Sequence, residues 1–274
     1  MSIRRSALYC LEQGVVRPVS FPSFTRVANP ETEAFSGPLS GFITNATFWQ
    51  HAHMPVILSR CEFAREQFEP SFFEALGVRF VPSIRAAVSK RQAEFLVGRY
   101  LSQQAMAMFE PGVSCGGFEL PIGAHRCPIW PSHLMGSISH SERVAFSVVM
   151  NKPLARRGFL GIDVEGIVNE DNAECLREYV LREEDRQYLK TVDLADNVLL
   201  TLVFSAKEAL FKATYPYIGA YFGFERARVM FIDVEKRCIG LALTPEFQVQ
   251  TGIRDTFVCH YDWQDNHICS LILQ

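Results

Sequence analysis

No stretch of this 274-residue chain stays apolar long enough to cross a bilayer. Runs such as Val198–Phe204 stop far short of the roughly 20 residues a membrane-spanning helix needs. A secretory core is missing as well. Arg4 and Arg5 precede Leu8-Tyr9-Cys10-Leu11, but Glu12 and Gln13 end that run at once. The eight cysteines, Cys10, Cys61, Cys115, Cys127, Cys175, Cys238, Cys259 and Cys269, form no CxxC pair and no zinc-site spacing. In a long chain without a signal they read as reduced cytosolic thiols, most of them small core residues. An excess of positive charge is also lacking: the net charge is −3, which argues against a nucleic-acid binder and requires any site for a phosphorylated ligand to be local. The expectation is a soluble cytoplasmic protein with no transmembrane segment, peripheral membrane contact being left open.

What is present is material for a core. Hydrophobic residues make up 48% of the chain and 22 residues are Phe, so aromatic packing should dominate one large domain or two ordinary ones. Pro18, Pro22, Pro30 and Pro38 make a long early helix improbable, and residues 1 to about 50 read as a partly irregular lead. Pro55–Cys61 reads as a strand, and Phe72–Gly77 as a short helix closed by its glycine. From Ile84 to about Met108 a proline-free helix carries an apolar stripe (Ala93, Leu96, Tyr100, Leu101, Ala105) and a polar side (Lys90, Arg91, Glu94, Arg99, Gln103). Arg91 and Arg99 share a face two turns apart, and taken alone that pair is better read as solvated than as a phosphate site. After a loop from Pro111 to Gly117, Ser137–Val149 reads as strand, turn, strand, with Ser139 and His140 at the turn. Adjacent residues rarely face each other, so Ser139 and His140 do not make a nucleophile and its base.

Asn151–Gly158 is a polar connection and marks the boundary between two halves, 1–153 and 154–274. Beyond it come helical runs over Asn172 to about Leu189, broken near Leu181, and Asp196 to about Thr214. Strands follow at Ala227–Val234, Cys238–Leu243, Thr256–Tyr261 and Ile268–Leu273. Each half holds a long charged helix followed by a strand-turn-strand, around Ser139-His140 in one and Trp263–Asn266 in the other. The expected fold is α+β, two similar halves in a pseudo-twofold arrangement, with a ligand cleft at their junction.

The chemistry centres on Gly161-Ile162-Asp163-Val164-Glu165. On a strand, Asp163 and Glu165 project from one face while Ile162 and Val164 bury the other. Two acids alone amount to a solvated face. Downstream, in Phe204-Ser205-Ala206-Lys207-Glu208-Ala209-Leu210-Phe211-Lys212-Ala213, Glu208 and Lys212 lie one helical turn apart, alone no more than an ordinary surface pair. Together, Asp163, Glu165 and Glu208 could hold one octahedral Mg²⁺ with water and substrate phosphate oxygens. Lys212 would touch those phosphates, and Arg91, Arg99, Arg126 and His140 could supply further positive charge. Acids for a metal plus scattered bases point to phosphoryl-group chemistry on a nucleotide-like substrate.

These motifs resemble those of the 4′-phosphopantetheinyl transferases. Gly161–Glu165 and Phe204–Ala213 are similar to that family's signature pair, Gly136-Ser137-Ile138-Ser139-His140-Ser141 to its third motif, and Lys90–Arg99 to its basic helix. Pro128-Ile129-Trp130-Pro131 and Phe204 resemble the enterobactin synthase component D subgroup. The resemblance covers roughly residues 80 to 240, with the motifs in order. It implies the large, monomeric, Sfp-type architecture of two α+β halves. It also implies transfer of phosphopantetheine from coenzyme A to a serine of an apo peptidyl, aryl or acyl carrier protein, with release of adenosine 3′,5′-bisphosphate. Asp163, Glu165 and Glu208 then match the Mg²⁺ ligands, and Glu208 also the general base, with a metal-bound water as the alternative relay. Lys212 matches the lysine that stabilises the splitting pyrophosphate. Arg91, Arg99, Arg126 and His140 match positions that grip coenzyme A phosphates, with Ser139 beside them. Lys207 is given a helix-packing or substrate-edge role. Phe222, Phe224, Tyr217 and Tyr221 are candidates for carrier docking, most of them expected to be plain core. The resemblance points to a catechol siderophore pathway. Two other readings remain at this point: a Mg²⁺-dependent nucleotide phosphohydrolase, and an inactive coenzyme A-binding scaffold.

Overall fold

The computed structural model describes residues 21–28, 35, 37–110, 117–154, 157–264 and 266–274. Most of the expected N-terminal lead, the loop at 111–116, part of the 151–158 connection and Asp265 lie outside these residues. The chain divides into two compact units, residues 23–158 and residues 159–274, Phe21 and Pro22 grouping with the second.

The first unit is a five-stranded antiparallel sheet backed by one long helix. Its strands are β1 (Phe24–Val27), β2 (Ile43–His51), β3 (Val56–Phe63), β4 (Leu134–Ser141) and β5 (Val144–Asn151), in the order β1-β2-β3-β5-β4. Short helices α1 (Pro38–Phe42), α2 (Phe72–Ala75) and α3 (Pro82–Arg85) precede α4 (Ser89–Ala107), which packs on β3, β4 and β5. Thus the described part of the lead is less irregular than expected. Ile43–His51 is rich in β-branched and aromatic residues (Ile43, Thr44, Thr47, Phe48, Trp49) and forms a full strand, with a shift of register between Thr44 and Thr47, once β3 is there to pair with it.

The helix expected over residues 84–108 is two helices. Pro82 starts α3 at its first turn, and the chain straightens at Val88 before Ser89 starts α4. The polar side of α4 is solvated only at its start, at Lys90 and Arg91: Glu94, Arg99 and Gln103 are buried. Gln103 Nε2 donates to Phe118 O (2.7 Å) and Gly77 O (3.3 Å), so buried backbone carbonyls take the place of water. On its apolar side α4 completes a Phe-rich core with Phe42, Phe48, Phe63, Phe72 and Phe73. There the Phe73 and Phe80 rings stack at 4.0 Å.

The second unit repeats the plan. Strands β6 (Leu160–Gly166), β7 (Ala227–Asp233), β8 (Cys238–Leu243), β9 (Thr256–Gln264) and β10 (His267–Leu273) run antiparallel in the order β6-β10-β9-β8-β7. Helices α5 (Glu170–Val180) and α6 (Glu183–Leu189) lead to α7 (Asp196–Ile218), which packs chiefly on β6 and β10. The expected break near Leu181 is present: Leu181 is extended and caps α5. Helix α7 runs on through Pro216 to Gly219, whose φ of 67° closes it. A last helix, α8 (Pro245–Thr251), was not expected, although Pro245 in its first turn and Gly252 at φ 69° are an N-terminal and a C-terminal helix signal. Both units are mixed α and β with an antiparallel sheet, as expected of two similar α+β halves.

Gly161 decides how closely α7 approaches β6. A Cβ there would sit 2.8 Å from Ala213 N and inside the contact distance of Ala209 O. A bare backbone at Gly161 and two alanines on α7 therefore make one tight seam. We expect Gly161→Ala to lower unfolding free energy by about 3 kcal/mol, because helix and strand must part. A urea titration measures this, and an unchanged midpoint would show that the seam has slack.

Candidate functional site

Residue alternation on β6 and the helical repeat of α7 bring four charged side chains together. Asp163 and Glu165 point to the face of the second sheet that α7 covers, the face Gly161 also presents to it. Glu208 and Lys212 come from α7, one turn apart. Lys212 Nζ donates to Asp163 Oδ1 at 2.6 Å, and Asp163 is almost fully buried. The ordinary Glu208–Lys212 helix pair is therefore not the contact that forms; the lysine reaches across to the strand.

Electrostatics ties the acids together. Burial, with the charge of Asp163, raises the Glu165 carboxyl to about 8; Lys212 opposes the rise and Glu208 adds to it. The Glu208 carboxyl also lies above its ordinary range, through burial first and Asp163 second, against the pull of Lys212. Among the described residues no three His, Cys, Asp or Glu side chains are already gathered as a metal-ion site. The donor set nonetheless fits a hard divalent cation. It offers carboxylate oxygens only, Asp163 buried and Glu165 and Glu208 half-buried, and Glu165 and Glu208 resist ionising beside Asp163. A cation between them would remove that resistance.

Lys207 takes the helix-packing alternative. Its ammonium is buried and donates to Asp185 Oδ2 at 2.7 Å and to Val180 O at 2.9 Å. Asp185 Oδ1 in turn accepts from Val229 N at 3.0 Å, so the pair joins α5, α6, α7 and β7. The importance of Asp185 was not legible. In Arg182-Glu183-Glu184-Asp185-Arg186 it looks like one charge in a solvated run, and only the fold shows it is 2% exposed. Of the four aromatic candidates, Phe224 is buried core, Tyr217 and Phe222 are half-buried against it, and Tyr221 is 64% exposed. Tyr221 lies against Phe211 (ring centroids 5.4 Å) and beside Tyr179, whose hydroxyl is 3.5 Å from its own.

The basic residues belong to the first unit. Ser139 and His140 lie within β4 rather than at the turn, which falls at Glu142-Arg143. Strand alternation sends them to opposite faces. His140 meets α4, where Arg91 Nη1 lies 3.2 Å from its Nε2. Ser139 is buried on the face that Arg60 and Phe146 share by cross-strand register. Arg99 turns elsewhere. Its Nε donates to Leu120 O at 2.9 Å, and its guanidinium stacks 4.6 Å from the Phe95 ring, on the wall of a 530 Å³ cavity lined also by Val78, Gln103 and Ile122. Burial and the neighbouring Arg91 charge bring Arg99 down to about 10. Arg126 is exposed, in a turn where both it and His125 have positive φ. Glu94, assigned to a solvated face by its sequence position, sits buried between Arg65 (3.1 Å), Arg91 (3.9 Å) and His140 (3.8 Å).

Residues 80–150 match the model of the 4′-phosphopantetheinyl transferase N-terminal domain, and residues 159–271 that of the 4′-phosphopantetheinyl transferase superfamily. Similar curated proteins include enterobactin synthase component D of Salmonella typhi, 32% identical over 74% of this chain and 82% of that protein. The Salmonella typhimurium protein of the same name is 31% identical over 81% of this chain and 89% of its own length. The 4′-phosphopantetheinyl transferase Npt of Nocardia iowensis is 34% identical over 54% of this chain and 63% of that one.

Proposed function

As this chain belongs to the 4′-phosphopantetheinyl transferase superfamily, we propose that it moves the phosphopantetheine arm of coenzyme A to a serine of an apo carrier protein, in siderophore assembly. The observation that carries the reading is the group formed by Asp163, Glu165, Glu208 and Lys212, with Lys212 on Asp163 at 2.6 Å. Asp163, Glu165 and Glu208 would hold Mg²⁺, which when bound neutralises charge on the pyrophosphate. The serine oxygen bonds to the phosphorus that carries the arm, and the bond from that phosphorus to the leaving phosphate oxygen breaks. Adenosine 3′,5′-bisphosphate departs. Glu208, on α7 one turn from Lys212, accepts the proton of the serine hydroxyl. Lys212 offsets the charge that gathers on the leaving oxygen. Arg91 and His140 receive the phosphates of coenzyme A, while Arg126 in its exposed turn and the buried Arg99 add positive potential. The enzyme works as a cytoplasmic monomer.

Incubating the protein with coenzyme A, Mg²⁺ and apo carrier, then weighing the carrier, tests this. The expected result is a phosphopantetheine adduct that requires Mg²⁺. Release of free phosphate without an adduct would favour a phosphohydrolase, and coenzyme A binding with neither product would favour a scaffold.

A further inference from the structure

Glu94 fits none of the roles assigned so far. It is a buried carboxylate in contact with three cationic or protonatable groups: Arg65 Nη2 at 3.1 Å, Arg91 Nη1 at 3.9 Å and His140 Nδ1 at 3.8 Å. A guanidinium only donates, so in the contact of Arg91 Nη1 with His140 Nε2 (3.2 Å) the ring nitrogen accepts. The ring is then neutral, and its one proton sits on Nδ1, the side turned to Glu94. In this state His140 Nε2 has nothing to donate to an anion.

We propose that Glu94 is a positioning residue that makes anion binding at Arg91 and His140 a proton-coupled event. The inference rests on the reading that these two residues receive a phosphate of coenzyme A. When the phosphate arrives, Arg91 turns its N–H groups to it, and His140 Nε2 gains a proton from solvent and donates as well. The ring is then an imidazolium. Glu94 balances it from the Nδ1 side while the phosphate balances it from the Nε2 side. The only bond formed is Nε2–H, with a proton drawn from solvent, and that proton returns to solvent when the ligand leaves. Among the described residues, the charged groups seen in contact with Glu94 or His140 are Arg91 and Glu94 of α4 and Arg65 of the turn beside it; Arg143 of the β4–β5 turn pairs instead with Glu66 at 2.6 Å, and β5 sets Ala145 across from His140. Glu94 is thus the carboxylate that makes the charged ring tolerable.

The test is calorimetric titration of the full-length protein with adenosine 3′,5′-bisphosphate at pH 7.5, in two buffers of different ionisation enthalpy. The wild type should take up protons on binding. Glu94→Gln keeps the shape and loses the charge; it should weaken binding about tenfold, the effect of losing one charge-assisted contact. It should also lose most of the uptake and flatten the pH profile of KM for coenzyme A. His140→Asn should lose the uptake while Glu94→Asp keeps it in part. If Glu94→Gln fails to fold, Glu94→Asp decides: its partial uptake supports the role of Glu94, and uptake equal to wild type overturns it. Binding that Arg91→Ala and His140→Asn weaken, but with no proton uptake in the wild type, overturns the role of Glu94 and leaves the phosphate site standing. Binding indifferent to Arg91→Ala and His140→Asn overturns the phosphate site itself.

Discussion

Replacing Asp163 by asparagine is expected to lower the rate of carrier modification by about 10²–10³-fold while leaving the protein folded. The side chain keeps its shape, so the loss isolates its charge. Asp163 holds Lys212 by a 2.6 Å ion pair, and its charge raises both Glu165 and Glu208. Without it two things change together. Lys212 loses its anchor, and the group loses one of the three carboxylates that would hold the cation. Lys212 is a quarter exposed, so it can turn to water and no stranded buried cation unfolds the chain. Initial rates of carrier mass change, at saturating coenzyme A and Mg²⁺, measure the effect. A variant within tenfold of wild type would move the chemistry away from β6.

The second large effect is on stability. Glu165 has an ordinary value of 4.5 and lies at about 8 in the folded chain, through burial and the neighbouring acids. Between those two values the unfolded chain has given up the proton that the folded chain still binds. The contribution of Glu165 to the stability of the metal-free protein therefore falls as pH rises from about 4.5 to 8. The size is on the order of 4 kcal/mol, shared among the coupled acids. Glu165→Gln carries no such proton. Its Tm should change less over that window than that of the wild type, Glu208 still being held above its ordinary range, and should exceed that of the wild type at pH 8 in EDTA. Added Mg²⁺ should raise the wild-type Tm most at high pH and the variant's far less. A wild-type melting temperature independent of pH, with EDTA present, would show that Glu165 is not held among the other acids.

Much of this was legible because it is local. The alternation Ile162-Asp163-Val164-Glu165 states which side chains share a face, and the four-residue step from Glu208 to Lys212 states the same for a helix. What stayed hidden depends on contacts distant in sequence. Lys212 reaches Asp163, 49 residues away, only because Gly161 lets α7 lie against β6. Glu94 and Asp185 look like surface charges because their partners lie on other elements. The sequence around Ser139 and His140 reads as a turn, but the ladder to Val144–Asn151 extends the strand past them and separates their side chains. Arg99 shares a helix with Arg91, yet eight residues on, an aromatic ring and a carbonyl hold it elsewhere.

The burial of Lys207 against Asp185 settles a question of formal charge. Two lysines lie on α7 within five residues of each other, either side of Glu208. If both faced the acids, three negative and two positive charges would leave only one negative charge. Because Asp185 holds Lys207, the acids, once all three are ionised, are left with Lys212 alone, and the sum is two negative charges. That remainder equals the charge of one divalent cation. With Lys207 turned to the acids as well, the same cation would overshoot, so a folding partner 22 residues from one lysine keeps room for the charge that its neighbours would take.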